Sequence, residues 1–255
     1  MADRLEGLLE QGIRELGLGL PASAQPKLIH YLHLLTKWNK AFNLSGVTAI
    51  QEMVPLHLLD SLAVLPHLPV QQNDETTAPK AILDIGSGAG LPGIPLAIAC
   101  PERRFVLLDS NGKKTRFLFQ AKLALGLENI EVVNARVDDY IGTREANEFP
   151  FVTCRAFASL QDIVTMIAKP LREGSELLAM KGVYPQAEID ALPASIEATR
   201  VVELKVPGVD SQRHLVFVSH KKTDKETNKE TNKETNKETN KETNKETNKE
   251  TDKEA

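Results

Sequence analysis

Between Ile82 and Leu96 the chain reads Ile-Leu-Asp-Ile-Gly-Ser-Gly-Ala-Gly-Leu-Pro-Gly-Ile-Pro-Leu. An apolar strand breaks into glycines at alternate positions and resumes as a helix. Gly86, Gly88 and Gly90 let the backbone turn sharply and let a ligand approach it without meeting a Cβ. The helix that follows offers unpaired N–H groups and a positive dipole end. Pro92 suits its first turn, where a missing N–H costs nothing. Strand, glycine turn and helix in this order open a βαβ unit with a ligand at the carboxyl edge of a sheet.

The rest of the chain up to about residue 220 continues that scheme. Short apolar runs alternate with longer amphipathic ones: Ala81–Ile85 then Ile94–Ala99, Phe105–Leu108 then Arg116–Leu125, Ile130–Val133, Phe151–Cys154 then Leu160–Ile167, and Glu176–Met180. The alternation predicts an α/β fold, a mostly parallel sheet with helices on both faces. Arg200–Val206 and His214–Val218, with Pro207-Gly208 between them, predict a hairpin that adds an antiparallel C-terminal edge strand. Residues 1–66 read as a helical segment packed on this core. Leu28, Ile29, Tyr31, Leu32, Leu35 and Trp38 recur at three- and four-residue steps and form one apolar face, a core stripe rather than a base-stacking platform. Residues 67–80 are polar and proline-punctuated, a connection into the domain spanning 67–220.

From Lys221 a four-residue repeat of Lys, Glu, Thr and Asn runs to the end with no apolar side chain before Ala255. It cannot bury enough apolar surface to offset chain entropy, and residues 221–255 are expected to be a disordered, solvated tail. Its ten lysines balance eight glutamates and two aspartates, so the net charge of −4 lies wholly in the first 220 residues. A bulk basic charge is absent, and any polyanion site must be a local patch. Cys100 and Cys154 belong to no C-x-x-C pair, so neither a zinc site nor a disulfide framework is indicated, and two thiols in a reducing cytoplasm is the expectation. No secretory signal opens the chain. The apolar window 81–100 reads as a buried strand, loop and helix rather than a membrane span, since it holds Asp84, four glycines and two prolines.

Two cofactor classes use a glycine turn of this kind. A dinucleotide fingerprint needs G-x-G-x-x-G, and the third position here is Leu91. The spacing is instead G-x-G-x-G, ending at Gly90, which resembles the first motif of the Rossmann-like S-adenosylmethionine (SAM) methyltransferases. Asp84, at the strand end, can orient the positively charged amino acid end of SAM. Asp109 closes the next strand, 19 residues beyond Gly90. A carboxylate there meets ribose hydroxyls in an open sheet, although alone it would equally cap the next helix. Asp138-Asp139 follows the third strand, where such folds contact adenine; a solvated acidic loop is the other reading.

Leu83 to Pro95, with its Leu-Pro-Gly-Ile-Pro continuation, resembles the RsmG family, also called glucose-inhibited division protein B, bacterial enzymes that methylate N7 of a guanine in 16S ribosomal RNA. Further matches are Lys37-Trp38-Asn39-Lys40 with Asn43-Leu44, His57 with Leu59-Asp60-Ser61, Leu108-Asp109-Ser110 with Gly112-Lys113-Lys114, Arg155-Ala156-Phe157-Ala158, and Lys181-Gly182. The likeness covers about residues 25–220. It implies SAM contacts at Gly86, Leu91, the Val137-Asp138 pair and Arg155, beside Asp84, Gly88, Gly90 and Asp109. The repeat tail has no counterpart in the family pattern.

Guanine N7 bears an in-plane lone pair and no proton, so its methylation needs no general base. Alignment is what the protein must supply, and no catalytic dyad or metal is expected. The target base has to leave its stack to reach the pocket. RNA contact is expected from a local rim of Lys113, Lys114, Arg116, Arg136, Arg155, Lys181 and Arg213; read singly each is an ordinary solvated charge, except Arg155, which directly follows an apolar strand and sits in a matching motif. His57, near Asp60, reads as a hydrogen-bonded packing histidine in preference to a base contact. The resemblance thus implies 16S ribosomal RNA or the small ribosomal subunit as partner, and a cytoplasmic monomer is the expectation. A methyltransferase on a protein or small molecule, and a non-catalytic RNA-binding protein on the same fold, are the alternatives; a dehydrogenase is disfavoured by Leu91.

Overall fold

A computed structural model describes residues 2–68, 80–144 and 148–221. The repeat tail beyond Lys221 and most of the expected connection, residues 69–79, lie outside the described residues. The described residues up to His220 form one compact unit. In it α1 (Ala2–Glu15), α2 (Ala24–Phe42), α3 (Ile50–Met53), a π-helical turn (Val54–Leu59) and α4 (Asp60–Leu62) precede the sheet. Then come β1 (Ala81–Ile85), α5 (Gly93–Ala99), β2 (Arg104–Asp109), α6 (Gly112–Leu125), β3 (Ile130–Asn134) and α7 (Val137–Gly142). The last described elements are β4 (Phe151–Arg155), α8 (Leu160–Met166), α9 (Ala168–Arg172), β5 (Glu176–Lys181), α10 (Gln186–Asp190), β6 (Ile196–Glu203) and β7 (His214–His220).

Among the described residues, seven strands lie in the order β3-β2-β1-β4-β5-β7-β6. Pairings among β1 to β5 are parallel, and β7 runs antiparallel to both β5 and β6. The expected antiparallel hairpin is there, with its second strand inside and its first at the edge. Burial explains the order. β7 is buried at its first five positions, whereas β6 keeps Glu197, Thr199, Arg200 and Glu203 exposed; polar side chains on an outermost strand also discourage pairing with another chain.

Alternate strand residues face two apolar layers, as the pleat requires. Ile82, Phe105, Leu107, Ile130, Leu178 and Phe217 join Leu5, Leu9, Leu28, Leu32, Leu35 and Leu58 of the leading helices, together with α5 and α6. Leu83, Ile85, Val106, Leu108, Val152 and Leu177 pack with α7, α8 and α9 on the other face. The leading helices thus share one core with the sheet. Gly12 allows the close approach, because a Cβ there would strike the Leu59 side chain. Among the described residues no helix is long and apolar enough to cross a membrane; the apolar window 81–100 is β1, the glycine turn and α5.

Strand order reverses between β1 and β4: successive strands run outward on one side from β1 and on the other from β4. Loops leaving the carboxyl ends of those two strands diverge and open a crevice, the place where open α/β sheets bind ligands.

Candidate active site

The glycine turn fills one side of that crevice. Gly86, Gly88 and Gly90 have φ of 62°, 61° and 87°, values that a residue with a Cβ adopts only under strain. Its neighbours hold it on several sides. The Ser87 N–H donates to the Leu108 carbonyl at 3.1 Å, and the Gly88 N–H to Asp109 Oδ2 at 2.9 Å. The Tyr31 hydroxyl donates to the Ala89 carbonyl at 2.7 Å.

Two acids define the electrostatics. Asp84 is fully buried and accepts at Oδ2 from the Ser87 hydroxyl (2.6 Å) and the Gly93 N–H (3.1 Å). Burial pushes its carboxyl up to about 7, against the pull of those two hydrogen bonds. Its Oδ1 is buried without a hydrogen-bond partner. Asp109 ends β2, accepts from the Asn111 N–H at Oδ1 (2.8 Å), and has the Lys114 ammonium 3.9 Å from Oδ2. Leu91 is buried beside the turn; Val137, also buried, and exposed Asp138 open α7 just past β3.

This donor set fits SAM. The amides of Gly88 and Gly93, which a diphosphate would need, are already taken by carboxylates, so the turn presents negative charge. A cationic ligand with a ribose diol suits that cradle, and Asp84 brings a buried acceptor with no donor of its own. Gly86, Gly88, Gly90, Leu91, Asp84 and Asp109 would hold it, with Val137-Asp138 on the adjoining strand end.

The remaining expected site residues divide. Arg155 ends β4 and turns to the leading helices: it donates to the Leu56 carbonyl at 2.9 Å, lies 3.3 Å from His57 Nδ1, and pairs with Asp60 Oδ2 at 2.9 Å. Arg213, expected on the RNA rim, donates from Nε to the other Asp60 oxygen at 2.8 Å. Lys181, also expected there, donates to the Ala158 carbonyl (2.9 Å) and to Glu188 (2.7 Å). Lys113, Arg116 and Arg136 are exposed and make no ion pair among the described residues.

His57 is buried, and that burial, reinforced by Arg155, lowers its pKa to about 4. A guanidinium only donates, so Nδ1 accepts; the proton is on Nε2 and is donated to the Ser45 hydroxyl at 2.7 Å. The ring is a packing histidine. Asn39 completes the arrangement by accepting from the Ser45 N–H and donating to the Ser45 carbonyl. Missed from the sequence were the Tyr31–Ala89 bond, the clamp on Arg155, and Phe157, whose ring lies on Gly86. The motif stretches holding Asn39, His57 and Asp60 were the available signal.

A sheet of this strand order, with a glycine turn closed by acids at or next to the ends of its first two strands, defines a Rossmann-like SAM-dependent methyltransferase. The sequence profile of the rRNA small subunit methyltransferase G family (GidB) matches residues 24–216. Proteins named ribosomal RNA small subunit methyltransferase G include that of Ectopseudomonas mendocina, 50% identical over 82% of this chain and 94% of its own. That of Nitrosococcus oceani is 48% identical over 83% and 93%, and that of Marinomonas sp. 44% identical over 84% and 97%. The chain belongs to the ribosomal RNA small subunit methyltransferase G family.

Proposed function

We propose that this protein methylates N7 of a specific guanine in 16S ribosomal RNA, acting in the cytoplasm as a monomer whose residues 1–66 cap a methyltransferase domain formed by 67–220. SAM, when bound, supplies an already activated methyl group. The chain's own residues bind it and align the acceptor. The observation that carries this reading is the acidic glycine cradle at the β1–β4 crevice, in which Asp84 and Asp109 occupy the amides that a phosphate would require.

Two side chains near the crevice, His57 and Cys154, offer neither a ready base nor a nucleophile. His57 has Nδ1 committed to Arg155 and its Nε2 proton to Ser45, and a pKa near 4 makes it a weak base. Cys154, buried in β4, has its thiol pushed up to about 12 by burial and by the Asp84 charge, so it stays protonated and is a poor nucleophile for a covalent adduct with a pyrimidine. Exposed Lys113, Arg116 and Arg136 favour RNA over a protein or small-molecule acceptor.

Incubation with methyl-tritiated SAM and bacterial small-subunit RNA, followed by mass mapping, tests the proposal. Label at a guanine N7 is expected. Label only on protein or small molecules, or none on RNA, would overturn it.

A further inference from the structure

The carboxyl edge of the sheet has two halves. Over β1, β2 and β3 lie the glycine turn, Asp84, Asp109 and the Val137-Asp138 pair. Over β4 and β5 the edge is different in kind. Of the seven large hydrophobic side chains exposed among the described residues, Phe157, Val183 and Tyr184 lie in the two loops that leave β4 and β5.

Phe157 stands at the switch point itself. The chain leaves β4 through Ala156 at φ 49°, a left-handed value unfavourable for a residue with a Cβ. The ring then lies on Gly86, where any Cβ would collide with it, yet 37% of the residue stays exposed. Both sides of the loop are fixed. Asp60 holds Arg155, the Lys181 ammonium holds the Ala158 carbonyl, and Glu188 accepts from the Leu160 N–H at 2.6 Å. Glu188 also takes the Lys181 ammonium, so one carboxylate secures both. A part-exposed aromatic ring thus borders the glycine turn, on a loop fixed at both ends.

We infer that Phe157 is the platform on which the acceptor base of the RNA stacks after leaving its helix. This rests on the RNA-methylating function proposed for the same crevice. A base drawn out of a stack loses its neighbours, and an aromatic side chain restores one of them. The ring also favours the transfer. As N7 takes up the methyl group, the N7–carbon bond forms and the sulfur–carbon bond breaks, leaving its electron pair on sulfur. Positive charge passes to the purine, and a π face attracts a cationic ring more than a neutral one. The interaction therefore strengthens toward the transition state, which is what raises kcat.

Phe157→Leu keeps an apolar side chain of similar bulk but removes the π face, whereas Phe157→Trp keeps it. With the full chain, small-subunit ribosomal RNA and SAM, Phe157→Leu is expected to lower kcat/KM for RNA by about tenfold or more, leaving calorimetric SAM affinity within about twofold. Phe157→Trp is expected to stay near the parent. A Leu variant as efficient as the parent, or one that loses SAM binding in proportion, overturns the platform. Fluorescence gives a second readout, because the parent has a single tryptophan, Trp38, in α2. A guanosine-containing oligonucleotide should quench the Phe157→Trp variant beyond the parent. Methylated ribosomal RNA without extra quenching, and with an active Leu variant, removes the platform and keeps the function. Extra quenching in a chain that leaves ribosomal RNA unlabelled keeps the platform and removes that substrate.

Discussion

The Tyr31 hydroxyl and the Ala89 carbonyl, 58 residues apart in sequence, meet at 2.7 Å inside the protein. A helix that precedes the sheet therefore holds the middle of the glycine turn. Burial raises the Tyr31 pKa far above its ordinary value, so the hydroxyl keeps its proton and remains a donor. Tyr31→Phe leaves a buried carbonyl without its partner. It is expected to cost about 1–3 kcal/mol in stability by denaturant unfolding, and calorimetry should show weaker SAM binding. Full SAM affinity in a destabilised variant would limit the bond to a folding role.

Asp84 should make SAM binding pH-dependent. Its folded pKa, about 7, lies above the ordinary 3.8. Raising the pH through 7 ionises it and favours a cationic ligand, so affinity is expected to fall below pH 7 and binding there to release protons. For stability the sign is opposite. The contribution of this group is fully present below about pH 4 and lost as pH rises through 7. Asp84→Asn should flatten both profiles, measured by calorimetry in buffers of differing ionisation enthalpy and by unfolding across pH.

His57 works the other way. Its folded pKa of about 4 lies below the ordinary 6.5, so the contribution is present above pH 6.5 and lost as pH falls through 4. Each tenfold change in proton affinity is worth roughly 1.4 kcal/mol, which puts about 3 kcal/mol at stake. His57→Gln should remove that acid-side loss in urea titrations between pH 7 and 4. A slope equal to the parent's would show that the ring is not held neutral.

Lys113→Ala combined with Arg136→Ala should weaken RNA binding and reduce its dependence on salt, leaving SAM affinity unchanged, because a phosphate that meets no cation keeps its condensed counterion. Lys181→Ala should differ. Its ammonium is spent on Ala158 and Glu188, so the expected defect is in turnover rather than in the salt slope, read from filter binding at several salt concentrations.

Much of this architecture was legible because it is periodic. The runs at Ala81–Ile85 and Phe105–Leu108 alternate with helices at spacings that only a parallel sheet satisfies, and Asp84 and Asp109 fall at strand ends by count alone. Contacts that join distant segments were not legible. Arg155 and Lys181 end strands and Arg213 precedes one like any rim cation, and nothing local says that Asp60 waits 95 and 153 residues away for two of them. Hairpin adjacency was equally clear from Pro207-Gly208, while the choice of β6 rather than β7 as the outer strand depended on the packing of both faces.

Asp60 answers two arginines, one leaving β4 and one entering β7, from a helix that belongs to neither. The leading helices and the sheet are therefore not interchangeable parts. A chimera that grafts one relative's first 66 residues onto another's sheet will hold its substrate edge only where the acid and both guanidinium groups travel together.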